Sequence, residues 1–305
     1  MSNLFSIIIQ QIMIMFILII VGYILYKVKF INLEGITLLS NLVIYITNPA
    51  NMFVAFASVS ISENINIYLA VLIFSLLYFV LCSILIPILF KNKDGIIQSS
   101  MIFANSGFVG IPLVSGILGS EYIPYLTIYC AIQTIFIWTV QIYLVSKDRS
   151  TISFKKILTN PCIIIVAISF ISSLLNIKYP TVIIDSFSVL KNMNTGLIML
   201  LLGAYIAQCD ILKVIKNKDC YFATILRNLV IPLSSLLLLI LFKDLNLNIK
   251  LTLLIACSCP CITMTAIFSS IFKKNTELAS GIIAVSTIFS LISLPLILML
   301  ATKFY

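Results

Sequence analysis

Histidine is absent from this 305-residue chain, and only ten side chains are acidic. The first absence removes the usual partner of cysteine in a zinc site and the commonest proton carrier near neutral pH. The second is sharpened by position. From Glu34 to Glu277 every acid falls in a loop or near the end of an apolar run, so the side chains that build intramembrane proton relays are missing from the bilayer centre. Charge of either sign is scarce: charged residues make up 10% of the chain, against about a quarter in a soluble domain. With 61% hydrophobic residues and a mean hydropathy of +1.19, the chain is expected to be an all-α integral membrane protein. No charge-rich or low-complexity block is long enough to form a soluble domain beside the spans.

Other absences narrow the function. No nucleophile stands with a base and no ligand cluster is complete, so the chain is not expected to be an enzyme, to carry a catalytic residue or to need a cofactor. Eight cysteines are present, but Cys257-Ser-Cys259-Pro-Cys261 lies within an apolar run and is read as small core residues rather than a metal site. The net charge of +9 is scattered through short loops, which fits membrane topology better than a nucleic-acid partner.

Apolar runs between charged or turn-like punctuation give ten spans, at about 4–27, 34–58, 66–90, 96–118, 123–146, 160–176, 182–207, 219–242, 250–271 and 279–302. The first run lacks the basic leader of a signal peptide and is long enough to stay in the membrane as a helix. Loops after odd-numbered spans hold 13 of the 19 basic residues and the other side holds four, with Lys191 and Arg227 inside spans. Positive loops stay inside, so the chain is expected to be a multi-pass protein of the cell membrane with both termini extracellular.

Two of these spans carry an interruption. Ala104-Asn-Ser-Gly-Phe-Val-Gly-Ile-Pro-Leu113 sets Gly107, Gly110 and Pro112 in the fourth; a proline has no N–H and collides with the carbonyl four residues back, here Phe108. Ala256-Cys-Ser-Cys-Pro260 interrupts the ninth. Pro112 and Pro260 are 148 residues apart, and Pro49 and Gly196 are 147 apart, close to half the chain. That spacing predicts two five-span repeats, residues 1–150 and 151–305. Five is odd, so the second enters the membrane from the opposite side and the broken fourth and ninth spans meet antiparallel near the midplane. Irregular backbone at that depth survives only where it is buried in protein or lines a cavity, which makes the two breaks the expected site.

The stretch Asn105-Ser-Gly-Phe-Val-Gly-Ile-Pro112 resembles the signature of the auxin efflux carrier family, which includes plant PIN carriers and bacterial permeases assigned to dicarboxylates such as malonate. Asn48-Pro49, Asn160-Pro161, Arg227 with Pro232, Pro260, and Ser286-Thr287 with Pro295 are also similar to family positions. The resemblance implies a two-domain fold like that of bile-acid symporters and sodium/proton antiporters. In it, spans four and nine cross at their prolines and spans one, two, six and seven form a scaffold. Gly196 stands where the family would have proline, and the third span lacks the acidic and basic side chains that some plant members place near their site.

Half-helix N-termini favour an anion, and a carboxylate is the expected substrate. Asn105 and Ser106 precede the first break; Ser258, Cys259 and Thr263 flank the second; Asn51 and Gln133 are the polar residues of neighbouring spans placed to face the same cavity. Tyr129 and Trp138 are candidates for an apolar wall, and Arg227, some eight residues into its span, is long enough to reach the cytoplasmic interface. Lys191 is placed either to pair with Asp185 or to attract anions to an outer vestibule. The expected function is export of a small organic anion, auxin- or dicarboxylate-like, by elevator-type alternating access. A sodium-coupled importer is the rival, and a receptor or intramembrane enzyme the remote alternative. The partners admitted are the organic anion, the lipid bilayer, a Na+ ion and a second copy of the chain in a homodimer.

Overall fold

The computed structural model describes residues 2–57, 65–152, 155, 158–159, 161–208, 214 and 216–304, with side chains for all of these except 2–9, 11, 12 and 162. Glu63, Lys156, Asn160, Asp210 and Lys213, which entered the reading of the sequence, lie outside the described residues.

Twelve helices and no strand make up the fold among the described residues. They are α1 (Ser2–Lys27), α2 (Leu33–Ala57), α3 (Ile65–Leu89), α4 (Gly95–Ile102), α5 (Ser106–Ile117), α6 (Ser120–Ser146), α7 (Pro161–Leu174), α8 (Thr181–Ala207), α9 (Lys218–Ile240), α10 (Leu247–Ser258), α11 (Met264–Ile271) and α12 (Thr276–Phe304). Six of them, α2, α3, α6, α8, α9 and α12, are long and apolar enough to cross a membrane. Helix starts follow local chemistry. Asn32, Asp94, Asn217 and Asn246 cap α2, α4, α9 and α10 by accepting from backbone N–H groups that have no intrahelical partner. Along α3 one side is open, with Leu69, Ile73, Ile84 and Leu85 each about half exposed. An apolar surface of that extent suits hydrocarbon rather than water.

Three of the prolines are accommodated by widening the helix rather than by breaking it. A π-helical turn at Val43–Thr47 ends two residues before Pro49, another at Ser106–Gly110 two before Pro112, and a third at Leu226–Val230 two before Pro232. In each case the carbonyl that the proline ring would strike, on Tyr45, Phe108 or Asn228, lies inside the widened turn, where bonding shifts from i+4 to i+5. This corrects the expected position of the first break. Pro112 sits within continuous α5, and the interruption is at residues 103–105, upstream of both glycines. The second interruption, at residues 259–263, does contain Pro260.

Two sets of helix pairings stand out, joined to each other by contacts of α1 with α5 and of α2 with α6. In the first, α1 runs against α8, and α2 against α7 and α8. A side chain on Gly22 would strike the backbone of Leu200, and one on Gly203 the backbone of Ile19, so α1 and α8 touch main chain to main chain. In the second, α3 packs on α6, and α9, α10 and α11 each pack on α12.

Candidate functional site

The two interruptions lie against each other. Phe103 has extended backbone, Asn105 N–H donates to the Pro260 carbonyl at 2.8 Å, and Ile262 N–H donates to the Phe103 carbonyl at 3.1 Å. Ala104 and Cys261 thereby form an isolated antiparallel bridge between otherwise helical segments. Backbone groups that lost their helical partners are satisfied by the opposite break, which is what burial at this depth demands. Neighbours complete the arrangement: Ser106 Oγ donates to the Ala256 carbonyl at 2.9 Å, Gln133 Nε2 to the Ala104 carbonyl at 2.6 Å, and Cys261 N–H to Ser286 Oγ at 3.1 Å.

Arg227 holds the other side of the junction. It is fully buried, so of the two places its length allowed, the interface and the interior, it takes the interior. Its Nη1 donates to the Met101 and Ile102 carbonyls, both at 3.0 Å, and to Tyr78 OH at 3.1 Å. Its Nε donates to the Cys259 carbonyl at 3.3 Å and its Nη2 to the Cys257 carbonyl. The last carbonyls of α4 and of α10, orphaned by the ends of those helices, thus share one guanidinium, whose five donors in a fixed fork suit several acceptors at once.

A cavity of about 100 Å³ opens on the side where α5 and α11 begin. Asn105, Gly107, Gln133 and Thr263, four of the residues expected at the site, line it, together with Asn48, Phe108, Thr134, Trp138 and Met264. Asn105 is 2% exposed, and among the described residues its Nδ2 has no acceptor and Gln133 Oε1 has no donor. Trp138, a candidate for an apolar wall, lies on the cavity and meets Phe268 edge-on at 5.7 Å. The remaining expected residues stand elsewhere. Ser106 is spent on the Ala256 carbonyl. Gly110 faces Cys259 and Leu126 rather than the cavity, and a Cβ there would meet Cys259 Sγ at 3.4 Å, an ordinary contact. Pro112, Ser258 and Cys259 are buried and do not reach the cavity. Pro260 lines a separate void of about 30 Å³ with Thr287 and Ser290. Asn51 is 3% exposed and off the cavity, with no donor to Oδ1 among the described residues. Tyr129 is also off it, packed on Phe79 at 5.1 Å. Lys191 makes no ion pair with Asp185; the ion pair found among the described residues joins Lys93 to Asp219 at 2.6 Å across half-exposed surface.

Asn48 and Thr134 were legible in principle, as polar residues one helical turn from Asn51 and beside Gln133. Arg227 was visible as a cation inside a span, yet its partners are carbonyls, which carry no residue-type signal.

The membrane transport protein family matches the chain over residues 7–298. An uncharacterized transporter of Methanocaldococcus jannaschii is 29% identical to it over 304 residues, covering 93% of this chain and 96% of that protein. The chain belongs to the membrane transport protein family, the auxin efflux carriers whose signature its stretch from Asn105 to Pro112 resembles.

Proposed function

We propose that the protein is a secondary transporter that exports a small organic carboxylate across the cell membrane, and that the cavity between α2, α5, α6 and α11 is its substrate site. One observation carries the reading: the buried Nδ2 of Asn105 has no acceptor among the described residues and lines the same cavity on which α5 and α11 begin. Carboxylate oxygens supply acceptors both to such a donor and to the first N–H groups of a helix.

Ten spans in two inverted repeats, residues 1–150 and 151–305, underlie the proposed mechanism. In support, the hydrogen-bonded pairs Thr47–Asn194 and Tyr78–Arg227 are 147 and 149 residues apart, about one repeat each. Elevator-type movement would carry α3, α4, α5, α6 and α9–α12 past a scaffold of α1, α2, α7 and α8; the direct glycine contact of α1 with α8, and the tie that Arg227 makes between α3, α4, α9 and α10, support that division. Export of a monovalent anion from an inside-negative cell gains about 2.3 kcal/mol per 100 mV, so no coupling ion is required. A sodium-coupled importer is the second reading, favoured by buried acceptor oxygens without donors among the described residues, Asn51 Oδ1 and Asn228 Oδ1.

Reconstitution into proteoliposomes with a panel of labelled carboxylates and their amides tests this. Saturable movement of a carboxylate, driven by membrane potential without sodium and reduced by Asn105→Ala, is expected. Dependence on a sodium gradient would favour the importer, and equal transport of carboxylate and amide would overturn the anion site.

A further inference from the structure

Among the described residues Arg227 is the charged side chain that is buried completely, and no carboxylate there meets it. Burial of an unpaired cation is costly, so what surrounds it must compensate. The compensation comes from the ends of helices. The C-terminus of α4 and that of α10 each carry about half a negative charge, concentrated on the last carbonyls, and the guanidinium bonds those of Met101, Ile102 and Cys257, with that of Cys259 just beyond α10. Across the same junction α5 and α11 begin, each with about half a positive charge at its N-terminus. Gly107 of α5 and Met264 of α11 line the cavity.

Left to themselves, two negative and two positive ends within a few residues would nearly cancel, and the cavity would favour no ion. With Arg227 in place the negative ends are matched and about one unit of positive charge remains over the cavity. We propose that Arg227 is a positioning residue that makes this cavity selective for a monovalent anion, by neutralising the carbonyl ends of α4 and α10 so that the starts of α5 and α11 act unopposed. The inference rests on the anion-site reading above and adds the source of its charge. The unpaired Nδ2 of Asn105, buried at the cavity edge, marks independently where a ligand oxygen belongs. Asn105 stands three positions after Ile102, whose carbonyl the arginine holds, so the charge acts from about 10 Å or a little more.

Trp138, the single tryptophan of the sequence, lies on the cavity wall and reports its potential without any knowledge of the substrate. Quenching of its fluorescence by iodide measures access for an anion, and quenching by neutral acrylamide measures access alone. In purified wild-type protein at constant ionic strength the iodide-to-acrylamide ratio should exceed that of free N-acetyltryptophanamide. Loss of a unit charge about 12 Å away, at an effective dielectric constant of about 20, corresponds to about a tenfold change in anion occupancy. Arg227→Gln should lower the ratio by about that factor, whereas Arg227→Lys should hold it near the wild-type value while lowering the melting temperature. Tyr78→Glu keeps the arginine and sets a carboxylate beside it, so the ratio should fall there too, and this variant carries the test if Arg227→Gln fails to fold. A wild-type ratio retained in Arg227→Gln, or in Tyr78→Glu, would make Arg227 a structural clasp and overturn the inference while leaving the anion site standing. A wild-type protein that disfavours iodide relative to acrylamide would overturn the anion site itself.

Discussion

Thr47 donates its hydroxyl proton to Oδ1 of Asn194 at 2.6 Å, with both side chains almost wholly buried. The bond ties α2, at the end of the widened turn before Pro49, to α8 two residues before Gly196. Nδ2 of Asn194 has no acceptor among the described residues, so Asn194 Oδ1 depends on Thr47 alone among the hydrogen bonds found there. Removing one partner from such a pair leaves a buried polar group unmet, which costs about 1–3 kcal/mol, whereas replacing both by apolar groups of similar shape is nearly neutral. Thr47→Val should therefore destabilise the protein, and Thr47→Val with Asn194→Leu should recover most of the loss. Thermal unfolding of the three variants in detergent gives the cycle; additive losses would show that the bond does not hold α2 to α8.

The glycines of α8 separate two kinds of position on one helix. Gly203→Ala, and Gly22→Ala on α1, place a methyl group against backbone that cannot yield without the helices parting. Gly196 has open space around it. Alanine there meets nothing and gains about 1 kcal/mol of helix propensity. Melting temperatures should fall for the first two variants and hold or rise for Gly196→Ala. An unchanged melting temperature in Gly203→Ala would contradict the close approach of α1 and α8.

Gly107 offers a test of the cavity that spares the fold. A Cβ there would stand 3.8 Å from Asn48 Nδ2 and 4.0 Å from Cys130 Sγ, ordinary contact distances. Gly107→Ala should fold normally, and Gly107→Leu should fill a void of only about 100 Å³. Transport in proteoliposomes is expected to fall slightly in the first and to be abolished in the second, with melting temperatures close to wild type. Full transport by a stable Gly107→Leu protein would place the substrate path elsewhere.

Much of this was readable from residue order, and what was not has a physical cause. Helix limits were legible because they are set locally, by apolar runs and by capping side chains such as Asp94 and Asn246. The second break was legible because Pro260 lies within it. The first was displaced because Phe103 and Asn105 are drawn out of the helix by hydrogen bonds to Ile262 and Pro260, partners far away in the chain, while the glycines that drew attention are absorbed by a π-turn that also accommodates Pro112. Of the expected site, Asn105, Gly107, Gln133 and Thr263 come together on one cavity, and Ser258, Cys259 and Pro260 face the protein instead. A broken helix has a side that meets ligand and a side that meets its own scaffold, and sequence spacing does not distinguish them. The place of Arg227 was left open for the same reason, since its destination is fixed by carbonyls on α4 and α10.

The expected orientation rests on the basic residues, which the ten expected spans divide 13 to one side and four to the other. With native cysteines replaced, a cysteine at Glu121, in the turn that opens α6, should react with an impermeant maleimide on intact cells, and one at Arg149 should not. The opposite pattern would invert the topology and place the termini inside.

Asn105 decides whether the cavity binds substrate or only closes the junction. Its backbone already serves the junction, through the N–H that donates to Pro260 and the carbonyl that accepts from Val109 N–H at 2.8 Å, and substitution leaves both intact. What changes is the side chain, whose Nδ2 has no acceptor among the described residues. A hydrogen bond to a charged group contributes about 1.5–3 kcal/mol. At about 1.4 kcal/mol per decade, Asn105→Ala should bind the transported carboxylate roughly 10- to 150-fold more weakly, with little change in melting temperature because no protein partner is lost. Asn105→Asp should be worse, since it sets a carboxylate against the ligand's own in a site poorly reached by water. A side chain that merely packs predicts the reverse pattern, lower stability with affinity preserved in the protein that survives. Ligand affinity and melting temperature measured together on both variants separate the two, and an Asn105→Ala protein that melts early but binds as wild type does would remove Asn105 from the site.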